Sequence, residues 1–529
     1  MNSIILDALK ETNKEILEIL ENYEIDRNTI DLECPFSHSK VFNKVEFNKL
    51  MENNGIHDVA ISTELLSIFT KFQTFKNNNN DFSADDDYQE QHEYGHNNCF
   101  SSEKIYYNEE KQHIDGFGVF AGRGNIFYQD KNRESILADL FSKDGLNLSI
   151  ARMEIDYNYQ ASELDEPINQ YWVVKNAKEK YNINKIFASI WSPPTYMKTI
   201  PGQLEGKNCN RLNPNYDDAF CEYISNICED LEKIGISLYS ISPMNEPEFP
   251  TPSWAGTIWY PTDTARFIPK LKDTLNKKGM QIKMIMGECA NWFLSDVYTF
   301  SSLFLMWLKG TSKKIDICAS HGYTIPNFIS GETDVTYNQK AYDWVLNRSS
   351  KPRWITEISE TTKFDPSMKK GLEFAASLHN FLTKGNISAF TFWLGVEKIS
   401  NECLIKTDGD TYSKGKVFDI YGNYTRYINP GSIRINTSKN KSHNGVLYSA
   451  FKNPNEKNSL TIVAINNNYH INELKFEVIG SDINILTPYV TSEGKNNNWI
   501  KLDEIKKDKL TNTFTIQLPS YSVVTLKNN

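Results

Sequence analysis

The 529-residue chain is poor in the marks of metal centres, membranes and nucleic-acid surfaces. Its eight cysteines are Cys34, Cys99, Cys209, Cys221, Cys228, Cys289, Cys318 and Cys403; none forms a Cys-x-x-Cys pair, and none has histidine at zinc spacing. Buried free thiols are therefore expected rather than disulfides, and no metal site is expected. No apolar run approaches the roughly 20 residues that span a bilayer. No Lys/Arg-rich tract interrupts a net charge of −10, so nucleic acid is not the expected partner. The first twenty residues mix Asp7, Lys10, Glu11, Lys14, Glu15 and Glu18 with apolar positions. That pattern makes an amphipathic helix, not a secretory signal, and the chain as written reads as intracellular.

What is present is ordinary globular composition, 40% hydrophobic and 23% charged, with aromatics at 12% including ten Trp. Aromatic faces suit sugar stacking and large cores equally well. Residues 1–98 stand apart. They hold two helical segments, Ser3 to Tyr23 and Glu46 to Phe75, followed by the polar, acidic stretch Asp81 to Asn98. That stretch cannot bury enough apolar surface to order itself and reads as a disordered linker. The role of this front part is open; one reading has helix Ser3 to Tyr23 binding a protein partner.

From Ile105 strands and helices alternate. Strands are predicted at Ile114–Val119, Leu148–Ile155, Lys185–Trp191, Leu238–Met244, Lys283–Gly287, Ile315–Ser320, Arg353–Thr356 and Ala389–Trp393. Most are apolar throughout, as parallel strands covered on both faces must be. Helix-compatible segments between them include Asp217–Lys233, Asp263–Lys278, Phe300–Leu308 and Leu372–Lys384. The spacing predicts an α/β fold, a (β/α)8 TIM barrel over residues 99–415, whose first strand at about 103–112 is open to joining a second sheet instead. Residues 416–529 alternate in short runs separated by Asn, Gly and Pro turns, and are expected to form an all-β sandwich.

Two carboxylates carry the candidate chemistry. Glu246 closes the run Ser242-Pro243-Met244-Asn245-Glu246-Pro247, and Glu357 closes Arg353-Trp354-Ile355-Thr356-Glu357. Each sits where a strand leaves the sheet, the end at which barrels build sites. A pair of carboxyl groups, one protonated and one ionised, is what cleavage of a glycosidic bond needs. A lone Glu at a strand end would more simply pair with Arg or Lys. Arg152 lies in the apolar strand Ser149-Ile150-Ala151-Arg152-Met153 and must be paired if buried; Glu357 is the favoured partner, with Glu154 and Asp156 as alternatives.

The motifs His113-Ile114-Asp115-Gly116-Phe117-Gly118, Ala188 to Lys198 (with Trp191-Ser192-Pro193-Pro194), Asn245-Glu246-Pro247, His321-Gly322-Tyr323, Thr356-Glu357 and Asn429 to Arg434 occur in this order. Together they resemble glycoside hydrolase family 30 over about residues 105–529. The resemblance implies a retaining β-glycosidase without cofactor or metal, with Glu246 as acid/base on strand four and Glu357 as nucleophile on strand seven. It also implies a carbohydrate substrate, with a β-1,6-galactan or xylan-type polymer favoured. The alternatives are a glucosylceramidase-like lipid glycosidase and an inert carbohydrate-binding barrel. Members of the family are usually secreted or lysosomal, against the intracellular reading above. Departures include a single Gly between Phe117 and Val119, and His-Gly-Tyr in place of the His-Trp-Tyr of glucosylceramidase-like members.

The remaining candidates surround that pair. Asn245 is expected to bind the substrate 2-hydroxyl, or to stabilise the turn. Tyr323 is expected to donate to Glu357, with His321 lining the same subsite; either could instead satisfy buried backbone. Trp191 and Trp393 are expected to face the subsite from opposite sides, one as its floor, each alternatively a plain core residue. Asp156 and Glu288 are further candidates for sugar hydroxyls, against loop or capping roles.

Overall fold

The chain supplies eight short apolar runs, and in the computed structural model they close into one parallel barrel. The structure describes residues 2–21, 44–53, 58–78, 102–121, 126–164, 169–324, 335–398, 400–438, 445–494 and 496–528. The polar stretch expected at Asp81 to Asn98 lies outside them. Strand β1 (Glu103–His113) precedes the barrel strands β2 (Gly116–Phe120), β3 (Ile150–Ile155), β4 (Lys185–Ile190), β5 (Ser240–Ser242), β6 (Lys283–Asn291), β7 (Ile317–Tyr323), β8 (Arg353–Glu357) and β9 (Ala389–Phe392). Closure is made by β9 pairing with β2, from Gly116 opposite Ala389 to Val119 opposite Phe392. A methyl group at Gly118 would sit 2.6 Å from the Ile150 carbonyl oxygen, so β2 reaches β3 only without a side chain there.

The N-terminal end of the barrel is plugged. Ile150, Phe187, Ile285, Ile317, Ala319, Trp354 and Ala389 form one buried cluster. The Trp354 indole donates to Asp115 Oδ2 at 2.9 Å and lies parallel to the Tyr239 ring. With that floor filled, a substrate can enter only at the C-terminal ends of the strands.

The all-β region begins at Ile433, not at residue 416. Lys416–Thr425 is a helix, because Val417, Ile420, Tyr421 and Tyr424 recur at helical spacing. The Tyr421 hydroxyl donates to the Phe390 carbonyl (2.8 Å) and accepts the Gly118 N–H (3.1 Å), which pins this helix over the β9–β2 seam. Beyond it a ten-stranded sheet runs from Ile500–Lys501 to Phe514–Leu518 and includes β1. β1 pairs antiparallel with Ile433–Thr437 and parallel with Asn472–Ile479. Ile105, Tyr448, Phe476, Leu486, Phe514 and Leu526 share one core, so the sheet curls until its halves face each other as a sandwich.

Three helices form a layer ahead of the barrel: α1 (Asn2–Glu21), α2 (Lys44–Asn53) and α3 (Val59–Asn78). The apolar side of α1 packs on the barrel, with Leu9 and Ile16 buried in its main core. Phe69 and Phe72 of α3 meet Phe300, Phe304 and Trp307, with ring centroids 5.3–6.1 Å apart. Those three belong to helix Trp292–Leu308, which starts eight residues earlier than expected and has every residue buried. A helix apolar on all sides needs cover on all sides, and here the barrel covers one side and α3 another.

Tyr421→Phe removes the hydroxyl that serves two backbone groups at the seam. It is expected to lower unfolding free energy by about 1–3 kcal/mol in chemical denaturation; an unchanged midpoint would deny the hydroxyl that role.

Candidate active site

The site starts from three local irregularities in the strands. β5 is short because Pro243 cannot donate to a ladder, and the chain turns through Met244 to Pro247. Glu246 takes a left-handed backbone (φ +46°) and donates its N–H to the Glu288 carbonyl at 3.0 Å. On β6 the pairing with β7 shifts between Gly287 and Cys289, where Glu288 has φ +52°. On β8 two residues, Thr356 and Glu357, follow Ile355 against one step from Ser320 to His321 on β7. An extra residue in a strand re-aims the next side chain, which is how Glu288 and Glu357 both reach the barrel interior.

Arg152, fully buried, is the hub that receives them. Its Nη1 donates to Glu357 Oε2 at 2.5 Å, and its Nη2 donates to Asn245 Oδ1 at 2.8 Å and to Glu288 Oε1 at 3.5 Å. Its Nε donates to Ser189 Oγ at 3.3 Å, and that hydroxyl donates onward to Glu288 Oε1 at 3.0 Å. Glu154 is instead bridged to Gln170 through its backbone. The guanidinium also lies 5.0 Å from the Trp191 ring and 5.6 Å from the Trp393 ring.

Glu357 takes two further partners. Tyr323 donates to its Oε1 at 2.8 Å, and His321 Nε2 lies 3.7 Å from its Oε2. The other ring nitrogen of His321 is 3.2 Å from Glu246 Oε1, so the imidazole stands between the two glutamates. One ligand atom from each of Glu246, His321 and Glu357 falls within 4.8 Å of the others. Burial pushes the Glu357 carboxyl up, but His321 and Arg152 outweigh it and hold the group below the usual carboxylate range. Burial pulls His321 down, and Glu357 with Glu246 reverses this, so its imidazolium is favoured. The trio's spacing would also admit a metal ion. Arg152 already brings a positive charge to that spot, and both Glu357 oxygens are engaged.

Glu246 and Glu357 open onto a cleft of about 590 Å³. Asn245, Tyr323, Trp191 and Trp393 also line it; Asp156 does not, and its backbone carbonyl accepts the Tyr223 hydroxyl instead. Trp191 and Trp393 do not face each other across the cleft. They are neighbours, 6.0 Å apart between ring centroids, both against Phe120 of β2. Barrel closure brings Trp393 against Phe120, since it sets strand eight beside strand one, and Trp191 reaches the same ring from the end of strand three. Glu288 lies beneath the cleft, wholly buried in the Arg152 network.

Sequence reasoning missed several cleft residues: Glu248, Phe249 and Trp254 on one wall, Glu397 and Glu402 on another. Phe249 and Trp254 stack with rings 5.9 Å apart. Glu248 accepts the Ala290 N–H at 2.8 Å, and burial together with Glu246 pushes its carboxyl up to about 7. The signal was available, because a third carboxyl two residues past Glu246 in a Pro-flanked turn has little room to leave the site.

The family model for O-Glycosyl hydrolase family 30 matches residues 128–299. Glucuronoxylanase XynC of Bacillus subtilis (strain 168) is 25% identical over 398 residues, covering 73% of this chain and 83% of that protein. The family match and the xylanase relatives support glycoside hydrolase family 30. Putative glucosylceramidase 1 of Caenorhabditis elegans is 32% identical over 165 residues, 26% of this chain and 31% of that one. Among solved structures, the catalytic domain of GH30 xylanase C from Talaromyces cellulolyticus shares the fold with a TM-score of 0.67 and 21% identity, covering 81% of this chain and 99% of that one. These findings support a glycoside hydrolase, and a glycoside hydrolase implies a carbohydrate substrate.

Arg152→Met strands two buried carboxylates and is expected to cost about 3–5 kcal/mol at neutral pH. Glu357 is depressed in the folded protein, so the stability it draws from Arg152 is present above the ordinary carboxylate pKa and lost as pH falls through the folded value. The gap between parent and variant in urea titrations should therefore narrow on acidification below about pH 4.5. A gap constant with pH would mean that the loss is one of packing.

Proposed function

We propose that this protein is a retaining β-glycoside hydrolase that cuts an uncharged stretch of a xylan-type backbone by double displacement. The observation that carries the retaining mechanism is the spacing of the two carboxylates, whose nearest oxygens lie within 4.8 Å. Retaining enzymes hold the pair at about 5–5.5 Å, whereas inverting ones need about 6.5–9.5 Å to admit a water.

The roles follow from the surroundings of each group. Glu357 is the nucleophile: Arg152, Tyr323 and His321 keep it ionised and fix both of its oxygens. Glu246 is the acid/base, at the cleft edge and without a guanidinium partner among the described residues; it protonates the leaving oxygen and later deprotonates the attacking water. The glycosyl ester on Glu357 forms as the glycosidic bond breaks, and water then replaces it from the same face. Asn245 has its carbonyl oxygen held by Arg152, which leaves its NH2 to donate to the substrate 2-hydroxyl. Trp191 and Trp393, side by side, offer the sugar an aromatic floor.

The substrate class rests on the cleft and the relatives. Glu246, Glu248, Glu357, Glu397 and Glu402 line the cleft, with no Lys or Arg among the described lining residues. Such a wall disfavours a uronic acid and suits neutral sugar. The Bacillus relative and the Talaromyces structure support xylan over β-1,6-galactan. A lipid-linked glucoside is the second reading, supported by the nematode match.

Purified protein is expected to hydrolyse xylan, with the first-formed anomer seen by NMR retaining the β configuration. Hydrolysis of glucosylceramide alone would favour the second reading, and glycan binding without turnover would make the protein an inert binder. Glu357→Gln should fall to background on every substrate. Glu246→Ala should lose about 10²–10⁴-fold on substrates with poor leaving groups and much less on activated aryl glycosides. Equal losses on both would remove Glu246 from the acid role.

A further inference from the structure

The helical layer ahead of the barrel does more than cover apolar surface. Leu9, Ala8, Ile5 and Ile4 of α1 share a small recess with Glu248 and Leu294. Those same two residues line the catalytic cleft from its other side. At this point the wall between cleft and α1 is one side chain thick. Glu248 is 6% exposed, has one oxygen on the Ala290 N–H and the other without a hydrogen-bond partner among the described residues, and stands two residues from Glu246.

A chain of hydrogen bonds also joins α1 to the Glu246 turn. Glu11 accepts both terminal nitrogens of Arg211 at 2.9 Å and the Thr262 hydroxyl at 2.6 Å. Arg211 Nε donates to Asp263 Oδ2 at 2.8 Å, and the same oxygen accepts the Tyr260 N–H at 3.0 Å. The adjacent Trp259 N–H donates to the Pro247 carbonyl at 3.0 Å, immediately after Glu246. Arg211 lies 3.9 Å over the Tyr260 ring, which holds the relay flat against the barrel. Bidentate Arg–carboxylate pairs fix direction as well as distance, unlike most surface ion pairs.

We infer that α1 is a positioning element of the catalytic centre: through Glu11–Arg211 and the Leu9 face behind Glu248, it fixes the turn that presents Glu246 to the leaving oxygen. This rests on the proposed acid/base role of Glu246. Proton donation requires near-attack geometry at Glu246, whereas attack by Glu357 on an activated glycoside needs no proton from it.

The test uses the full-length protein with Glu11→Gln combined with Leu9→Ala, and Phe72→Ala as a control that loosens the same layer far from the turn. Hydrogen exchange of the Met244–Thr264 amides, read by mass spectrometry, needs no substrate. The double variant should exchange faster there, and Phe72→Ala should not. In kinetics the double variant should lose about tenfold on poor leaving groups relative to activated aryl glycosides, with the Phe72→Ala ratio at the parent value. Unchanged exchange in the turn, or faster exchange with an unchanged leaving-group ratio, overturns the inference and leaves α1 a mere cover. If the parent cleaves no glycoside, the proposed function fails, while the exchange comparison still decides whether α1 fixes the turn.

Discussion

A buried guanidinium without compensation would unfold most domains, and Arg152 is fully buried in this one. Its charge must be answered by carboxylates carried on other strands, and the fold bends to supply them. Glu357 comes from strand seven and Glu288 from strand five, each at a step in strand register, while Asn245 comes from the turn after strand four. The same cation thus satisfies a folding requirement and maintains an anion at the mouth of a closed barrel. Breaking the cluster would cost stability and chemistry together, because both rest on one set of hydrogen bonds.

The asymmetry between the two cleft glutamates follows from that cluster. Glu357 lies inside it, with a cation, a phenol and an imidazole on its oxygens. Glu246 lies at its edge, tied by backbone to Glu288 and by side chain to His321 only among the described residues. His321 stands between them, with one ring nitrogen facing each carboxylate. Beneath them the barrel is closed by the cluster around Trp354; above them the floor is aromatic and the walls carry further carboxylates.

Much of this was legible in the sequence because the strands are apolar runs ending in polar residues. The eight barrel strands, the helix Asp217–Lys233 and five of the strands beyond residue 445 emerge from period and turn residues alone, whereas Ile485–Thr491 does not. The resemblance carried by Trp191 to Lys198 and Asn245 to Pro247 named the family. Three things were not readable. The helix Lys416–Thr425 was hidden by its apolar content, although its spacing is helical. The adjacency of Trp191 and Trp393 depends on how the barrel closes, which no local pattern encodes. The inward aim of Glu288 and the docking of α1 near Glu248 depend on register steps and on contacts between distant segments. One clue to the last was visible: the run Trp292 to Leu308 carries a single charge, Asp296, and an outer barrel helix so apolar must have something lying over it.

The central claim is that Glu357 forms a covalent bond to the sugar. A 2-fluoro-xylobioside with an activated leaving group, incubated with the parent protein and followed by intact mass and peptide mapping, addresses it directly. The account expects one sugar adduct per chain, placed on the peptide containing Glu357 and absent after Glu357→Gln. An adduct on Glu246 would contradict it, and so would hydrolysis of this substrate with inversion and no adduct.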